Sequence, residues 1–253
     1  MMTLDISSWI NSPYDWTLLF VCALLIGMSK TGIQGINVLT IPLMAINFGA
    51  KESTGLILPM LCFSDLIAVL YYRRTAEWKY IFKLLPSAIA GFFLAIAVDK
   101  LIPANEFRRL MAFCIFLGIG VMYWTERTGK EHKMFTSWWY APAFGLMGGF
   151  TTMIGNAAGP VMAVYLLSMR LPKYSFVGTS AWFFLVVNYL KLPLQIFVWD
   201  NISITSVTLN AMAIPFMLLG AAIGIYFVKK VPEKSYRMFI IVITVLSTVM
   251  LIF

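Results

Sequence analysis

Residues 140–169 read YAPAFGLMGGFTTMIGNAAGPVMAVYLLSM. The run is longer than the ~20 apolar residues a membrane-crossing helix needs, yet it is interrupted. Gly145, Gly148, Gly149, Gly155 and Gly159 punctuate it, together with Asn156 and Pro160. Glycine and proline break helices, so the segment reads as two half-helices of roughly a dozen residues around a polar tip. A second segment of the same kind, 16–48, holds Gly27, Gly32 and Gly35 with Lys30, Gln34 and Asn37, and then Pro42. Uninterrupted apolar spans lie near 53–72, 80–98, 108–124, 174–198, 205–228 and 237–253.

The composition agrees. Of 253 residues, 60% are apolar and 12% are charged, against ~45–50% and ~25% in soluble domains. A mean hydropathy of +0.85 excludes an ordinary soluble enzyme and a disordered chain. The 19 Lys and Arg exceed the 11 Asp and Glu, giving +8, but they are scattered in short loops between apolar runs. There they report membrane orientation and not nucleic-acid binding. The chain is expected to be an all-α polytopic membrane protein. Cys22, Cys62 and Cys114 are odd in number and lie in apolar runs, so they read as small hydrophobes. His132, the only histidine, sits in a polar loop between Glu131 and Lys133, which argues against a His-based metal site. Residues 1–16, MMTLDISSWINSPYDW, lack a basic n-region and do not read as a cleavable signal peptide. No phosphate loop, metal cluster or nucleophile–base pair is visible, so neither a cofactor nor an enzyme is expected.

The sequence repeats itself. A shift of 123 residues places Gly32 on Gly155, Gly55 on Gly178, Asp65 on Asn188 and Glu77 on Asp200. A shift of 129 places Ile102-Pro103 on Val231-Pro232, and Phe107-Arg108 on Tyr236-Arg237. Residues 1–253 therefore read as one domain of two homologous halves, 16–124 and 138–253. If the broken segments cross the bilayer, the halves are parallel; if they are re-entrant hairpins, the halves are inverted. With Lys30 and Lys191 set aside as intramembrane, 17 cations remain in loops. Crossing segments divide them 7 against 10, and re-entrant segments 13 against 4. The positive-inside rule favours the second. The expected architecture is two inverted repeats, each a broken re-entrant hairpin plus three transmembrane helices, with both termini outside the cytoplasm.

Non-helical backbone at membrane depth is tolerated where it lines a polar cavity, and secondary transporters bind substrate at such breaks. Asn156 reads as a helix N-cap beside Pro160, and Gln34 and Asn37 offer amides at the first tip. Intramembrane charges are functional hypotheses by default. They are Lys30, Asp65 and Lys191, the last sharing a helix face with Asn188, Phe184 and Ser180. The repeat mates of Lys30 and Lys191 are Met153 and Ala68, so the site is asymmetric, net positive and suited to an anion. The expected anion ligands are Lys30, Gln34, Asn37, Thr152, Asn156, Asn188 and Lys191, with Asp65 as proton carrier or as the structural partner of one lysine. Thr151 is a weaker candidate ligand. Tyr165, Trp182 and Tyr189 are candidate cavity walls, and Trp138, Trp139 and Tyr140 an interfacial belt.

Together, the two glycine-rich segments and the stretch from Gly178-Thr179-Ser180-Ala181-Trp182-Phe183-Phe184 to Asn188, Lys191 and Pro193 resemble the sulfite exporter TauE/SafE family of permeases. The likeness covers nearly the whole chain, although the family's consecutive glycines are replaced here by Gly32-Ile33-Gln34-Gly35 and Gly155-Asn156-Ala157-Ala158-Gly159. It implies proton-coupled export of a small sulfur-bearing anion, such as sulfite or an organosulfonate, across the inner cell membrane. An anion channel and a small-carboxylate permease are the alternatives. The expected partners are the anion, a proton, the lipid bilayer and, in an assembled state, a second copy in a homodimer.

Overall fold

The computed structural model describes residues 9–98, Phe116 and 137–252. Helix α1 (Pro13–Thr31) starts on a capping box. The Ser12 hydroxyl accepts the Asp15 N–H, and the Asp15 carboxylate accepts those of Asn11 and Ser12 at 2.8 and 2.9 Å. These bonds satisfy donors that every helix start leaves open. The helix ends at Gly32, and Gly35 takes φ +95°, a left-handed conformation natural to glycine. A 3-10 turn (Ile36–Leu39), α2 (Thr40–Phe48), α3 (Ala50–Tyr72) and α4 (Trp78–Val98) follow. The second half holds α5 (Tyr140–Gly155), α6 (Gly159–Ser168), α7 (Lys173–Phe197), α8 (Ile204–Lys230) and α9 (Glu233–Ile252).

Among the described residues there is no strand. Among the described residues four helices, within α3, α4, α7 and α8, are long and apolar enough to cross a membrane. The two interrupted segments appear as helix–break–helix pairs. Apart from Phe116, the expected span at 108–124 lies outside the described residues, as do Cys114, His132 and the repeat matches at Ile102-Pro103 and Phe107-Arg108.

Each broken pair doubles back. At the end of α2, the Asn47 amide donates to Asp15, at the start of α1, over 2.9 Å. The Tyr140 hydroxyl, at the start of α5, donates to Ser168, at the end of α6, over 3.0 Å. The hairpins then pack crosswise, α1 along α8 and α5 along α4. A Cβ on Gly27 would strike the Met217 carbonyl, and one on Gly220 the Leu24 carbonyl. On the other side, Gly91 meets Leu146 and Gly149 meets Ala88 in the same way. Small residues thus let backbones approach where apolar lipid supplies no hydrophobic drive. Phe20 stacks on Phe216, Gly27 reaches Ala221 and Gly32 reaches Gly224, while Leu84 meets Gly145 and Ala88 meets Gly149, so in both pairs the helices run parallel.

Helices α3 and α7 run antiparallel. Gly55, near the start of α3, abuts the Asn201 carbonyl beyond the end of α7; Gly178, near the start of α7, abuts Tyr72 and Thr75 at the end of α3. These contacts are reciprocal, because Gly55 and Gly178 are repeat mates. Gly91 and Gly220 are also mates at the shift of 129, as are Pro86 in α4 and Pro215 in α8. Each hairpin has its own apolar core. Leu19, Ile26, Met44, Leu56 and Met217 form one, and Phe92, Val161, Tyr165 and Phe183 belong to the other. Outward faces stay apolar too, with Leu70, Phe82, Phe93 and Tyr226 more than 60% exposed, as a lipid-facing surface requires.

Candidate functional site

The first site is built at the end of α1. The last helical turn carries Ser29 and Lys30, a cation at the negative end of a helix dipole. Lys30 is 8% exposed, and its Nζ lies 2.9 Å from Asp65 Oδ1 and 4.0 Å above the Phe184 ring centre. Among the described acids Asp65 alone is fully buried. Its other oxygen, Oδ2, accepts the Asn188 amide at 2.6 Å. Ser29 donates to Asn37 Oδ1 at 3.1 Å. Lys30, Gln34, Asn37 and Asp65 line one cavity with Ser180 and Phe184. Gly159, from the second break, closes it, since a Cβ there would sit 3.3 Å from Asn37 Oδ1. The two breaks therefore meet at this cavity. It leaves about 10 Å³ free, on the order of one water molecule. Gln34 Oε1 is buried there without a hydrogen-bond partner.

Lys191 makes a second cluster. Its side chain is fully buried, and Nζ donates to the Thr152 carbonyl at 2.8 Å, the Thr152 hydroxyl at 3.0 Å and Asn156 Oδ1. An ammonium with three donors meets three acceptors, one of them a carbonyl in the last turn of α5 that also accepts the Asn156 N–H at 3.0 Å. Gln195, one turn further along α7, donates to the Met153 carbonyl at 3.2 Å. The matching place in the first half is served by Tyr72, the repeat mate of Gln195, whose hydroxyl donates to the Thr31 carbonyl at 3.0 Å. Asp65 pairs with Lys30, so the charge of Lys191 rests on neutral oxygens.

Three expectations are corrected. Asn156 does not cap α6: it adopts φ 55° as the C-cap of α5, its amide donates to Thr54 at 3.2 Å, and Ala158 stands at the N-cap of α6 without a side-chain bond. The demand of Lys191 for acceptors outweighs the local capping preference. Tyr165, Trp182 and Tyr189 are not among the cavity walls. Tyr165 stacks on Tyr140 in the apolar core, Trp182 packs on Trp78, and Tyr189 is 48% exposed. In the belt, Trp138 and Trp139 are exposed but Tyr140 is buried by its bond to Ser168. The Thr151 hydroxyl, a weaker candidate ligand, donates within α5 to the Gly148 carbonyl at 3.1 Å.

The expected ligand set thus divides into a cavity group (Lys30, Gln34, Asn37, Asp65) and a Lys191 group (Thr152, Asn156), joined through Asn188. Sequence reasoning missed Ser29, Thr54 and Gln195. Gln195 was findable, because it lies four residues after Lys191 on the same helix face. Thr54 was not, because nothing local pairs it with Asn156, 102 residues away.

A family model described as Sulfite exporter TauE/SafE matches residues 19–251. The chain belongs to the sulfite exporter TauE/SafE family. The TauE/SafE match takes in both breaks and, wholly or for most of its length, each described helix. At family level it makes this a multi-pass membrane protein that transports an anion, and not an enzyme. No curated protein and no solved structure matches the chain.

Proposed function

We propose that this TauE/SafE protein is a secondary transporter of a small sulfur-containing oxyanion, sulfite or a short organosulfonate, exported across the inner membrane with proton coupling. The observation that carries the reading is the Lys30–Asp65 pair at the meeting point of the two breaks. An anion reaching the cavity competes with Asp65 for the Lys30 ammonium. Gln34, Ser29 and the uncapped N-terminal turn of α6 supply further donors, and the positive end of that helix dipole favours negative charge. Once Lys30 turns to the anion, Asp65 retains the Asn188 bond but loses its neutralising partner in a buried setting, and it takes up a proton. Anion and proton then occupy the site together and leave together.

The re-entrant, inverted arrangement is part of the same proposal. Three observations support it: the Asn47–Asp15 and Tyr140–Ser168 closures, the parallel packing of α1 on α8 and of α5 on α4, and the antiparallel repeat mates α3 and α7. Both termini then lie outside the cytoplasm. The small free volume of the cavity favours an occluded transporter over an open anion channel. The test is calorimetric titration of sulfite, ethanesulfonate and acetate into purified protein, followed by gradient-driven flux in proteoliposomes. Sulfite or sulfonate binding with saturable, pH-gradient-dependent flux is expected. Preference for acetate would reassign the substrate class, and voltage-driven unitary currents would make the protein a channel.

A further inference from the structure

A cleft of about 300 Å³ opens where the end of α6 meets the first turns of α7 and α9. That is the lower end of the volume range of small-molecule sites, about 300–1,000 Å³. Arg170, Lys173 and Arg237 line it against one acid, Glu233, a formal surplus of two positive charges. Glu233 Oε1 accepts the Lys173 N–H at 2.7 Å, and Lys173 Nζ donates to the Val228 and Val231 carbonyls at 2.8 and 2.7 Å. These two residues tie the helix ends together. Arg237 donates through Nη1 to the Leu167 carbonyl at 3.0 Å, which orients the plane of its five-donor guanidinium. Arg170 takes φ 51° at the turn between α6 and α7.

The floor of the cleft is aromatic. Buried Phe176 and Tyr236 meet edge to face at 6.1 Å. The Tyr236 hydroxyl donates to the Gly32 carbonyl at 2.7 Å, two residues beyond Lys30. One aromatic side chain therefore touches both the basic cleft and the first break.

We propose that this cleft is a second oxyanion site on the transport path, a vestibule where the anion rests on Arg170 and Arg237 before Tyr236 yields and it passes to Lys30. The proposal rests on the transporter reading above and adds to it a place and a ligand class. Guanidinium groups match the oxygens of a sulfonate or sulfite in two-point contact, and Phe176 with Leu171 covers a short carbon chain. Glu233 already presents a carboxylate at the N-terminus of α7. It moderates the positive field, so the cleft holds an anion without trapping it. A phospholipid headgroup phosphate shares this chemistry, and the experiment separates the two sources.

Sulfite and ethanesulfonate are titrated into delipidated full-length protein, and flux is measured against concentration in proteoliposomes. The set comprises wild type, Arg170→Gln, the double variant Arg170→Gln/Arg237→Gln, and Lys30→Gln. Wild type is expected to bind one anion in the cleft and another at Lys30. The double variant should lose the cleft anion and raise KM about tenfold, as loss of a charge-assisted contact does, with kcat changed less than about twofold. Lys30→Gln should keep the cleft anion and lose transport. Arg170→Gln alone removes an exposed side chain and covers the case in which losing the Arg237–Leu167 bond impairs folding. Unchanged stoichiometry and KM in both cleft variants overturn the vestibule and leave the central site standing. Binding lost in the cleft variants but intact in stoichiometry in Lys30→Gln removes the central site and keeps the cleft. Phospholipid that copurifies with wild type, disappears in the double variant and resists both anions overturns the vestibule in favour of a headgroup site.

Discussion

The amide of Asn188 donates to Asp65 Oδ2 over 2.6 Å, and the two residues fall on one another at the shift of 123. A carboxylate thus stands on one side of that correspondence and an amide on the other, where α3 and α7 touch. The carboxylate turns to Lys30, whose mate is Met153, and Lys191, whose mate is Ala68, is left to neutral oxygens. Two lysines with unlike surroundings are expected to respond differently to substitution.

Lys30→Gln removes the cation that faces the cavity. Loss of a charge-assisted hydrogen bond to a buried anion costs ~1.5–3 kcal/mol, so affinity should fall roughly tenfold to a hundredfold. Titration calorimetry on folded protein checks this, and wild-type affinity would show that Lys30 does not hold the anion.

Lys191→Ala should act first on stability. It leaves Asn156 Oδ1 and the Thr152 hydroxyl without their donor and takes a second donor from the Thr152 carbonyl, which keeps the Asn156 N–H, all in a buried place. Each unsatisfied buried group costs about 1–3 kcal/mol. A lowered melting temperature in detergent is expected, well beyond that of Lys234→Ala at the exposed start of α9. A variant that melts like wild type but binds anion weakly would make Lys191 a ligand instead.

Asp65→Asn mimics the protonated acid. It should bind anion with affinity at least equal to wild type, because Lys30 no longer has a competing carboxylate, and its flux should no longer follow an imposed pH gradient. Breaking a buried pair from one side costs ~3–5 kcal/mol, so Asp65→Asn/Asn188→Asp is the companion variant. It returns a carboxylate to the same hydrogen bond and should recover much of the expression lost. Proton-dependent flux surviving in a stable Asp65→Asn protein would rule Asp65 out as the carrier.

Topology has its own measurement. In a background without Cys22, Cys62 and Cys114, cysteines replacing Lys51 or Glu52 at the start of α3 and Lys173 or Tyr174 at the start of α7 should label from opposite faces of the membrane. Both positions follow the broken segment of their half, so crossing segments would put the labels on the same face.

Asp15 tests the closure of the first hairpin. Asp15→Ala removes the reciprocal half of the capping box and the acceptor of Asn47, and should lower the melting temperature in detergent. Transport by the surviving folded fraction is expected to match wild type, since Asp15 lies far along α1 from Lys30.

The sequence alone determined the elements of this protein. Apolar run length fixes which segments are helices, glycine and proline fix where two of them break, and the shift of 123 fixes which positions correspond. These are local or periodic properties, and for the described segments the structure agrees with the limits to within a few residues. The resemblance that gave the family rests on the same motifs. Partner choice was another matter. That Asp65 takes Lys30 and leaves Lys191 depends on α1, α3 and α7 converging, and no spacing encodes which of two lysines a carboxylate will face. The reversal of Asn156 has the same origin: its local sequence suits an N-cap, but a buried ammonium 35 residues away requires its oxygen more strongly. Cavity walls and the Tyr236–Gly32 bond, across 204 residues, are likewise products of packing. Long-range electrostatics and burial act only once the helices are assembled, which is why tertiary structure alone decided them.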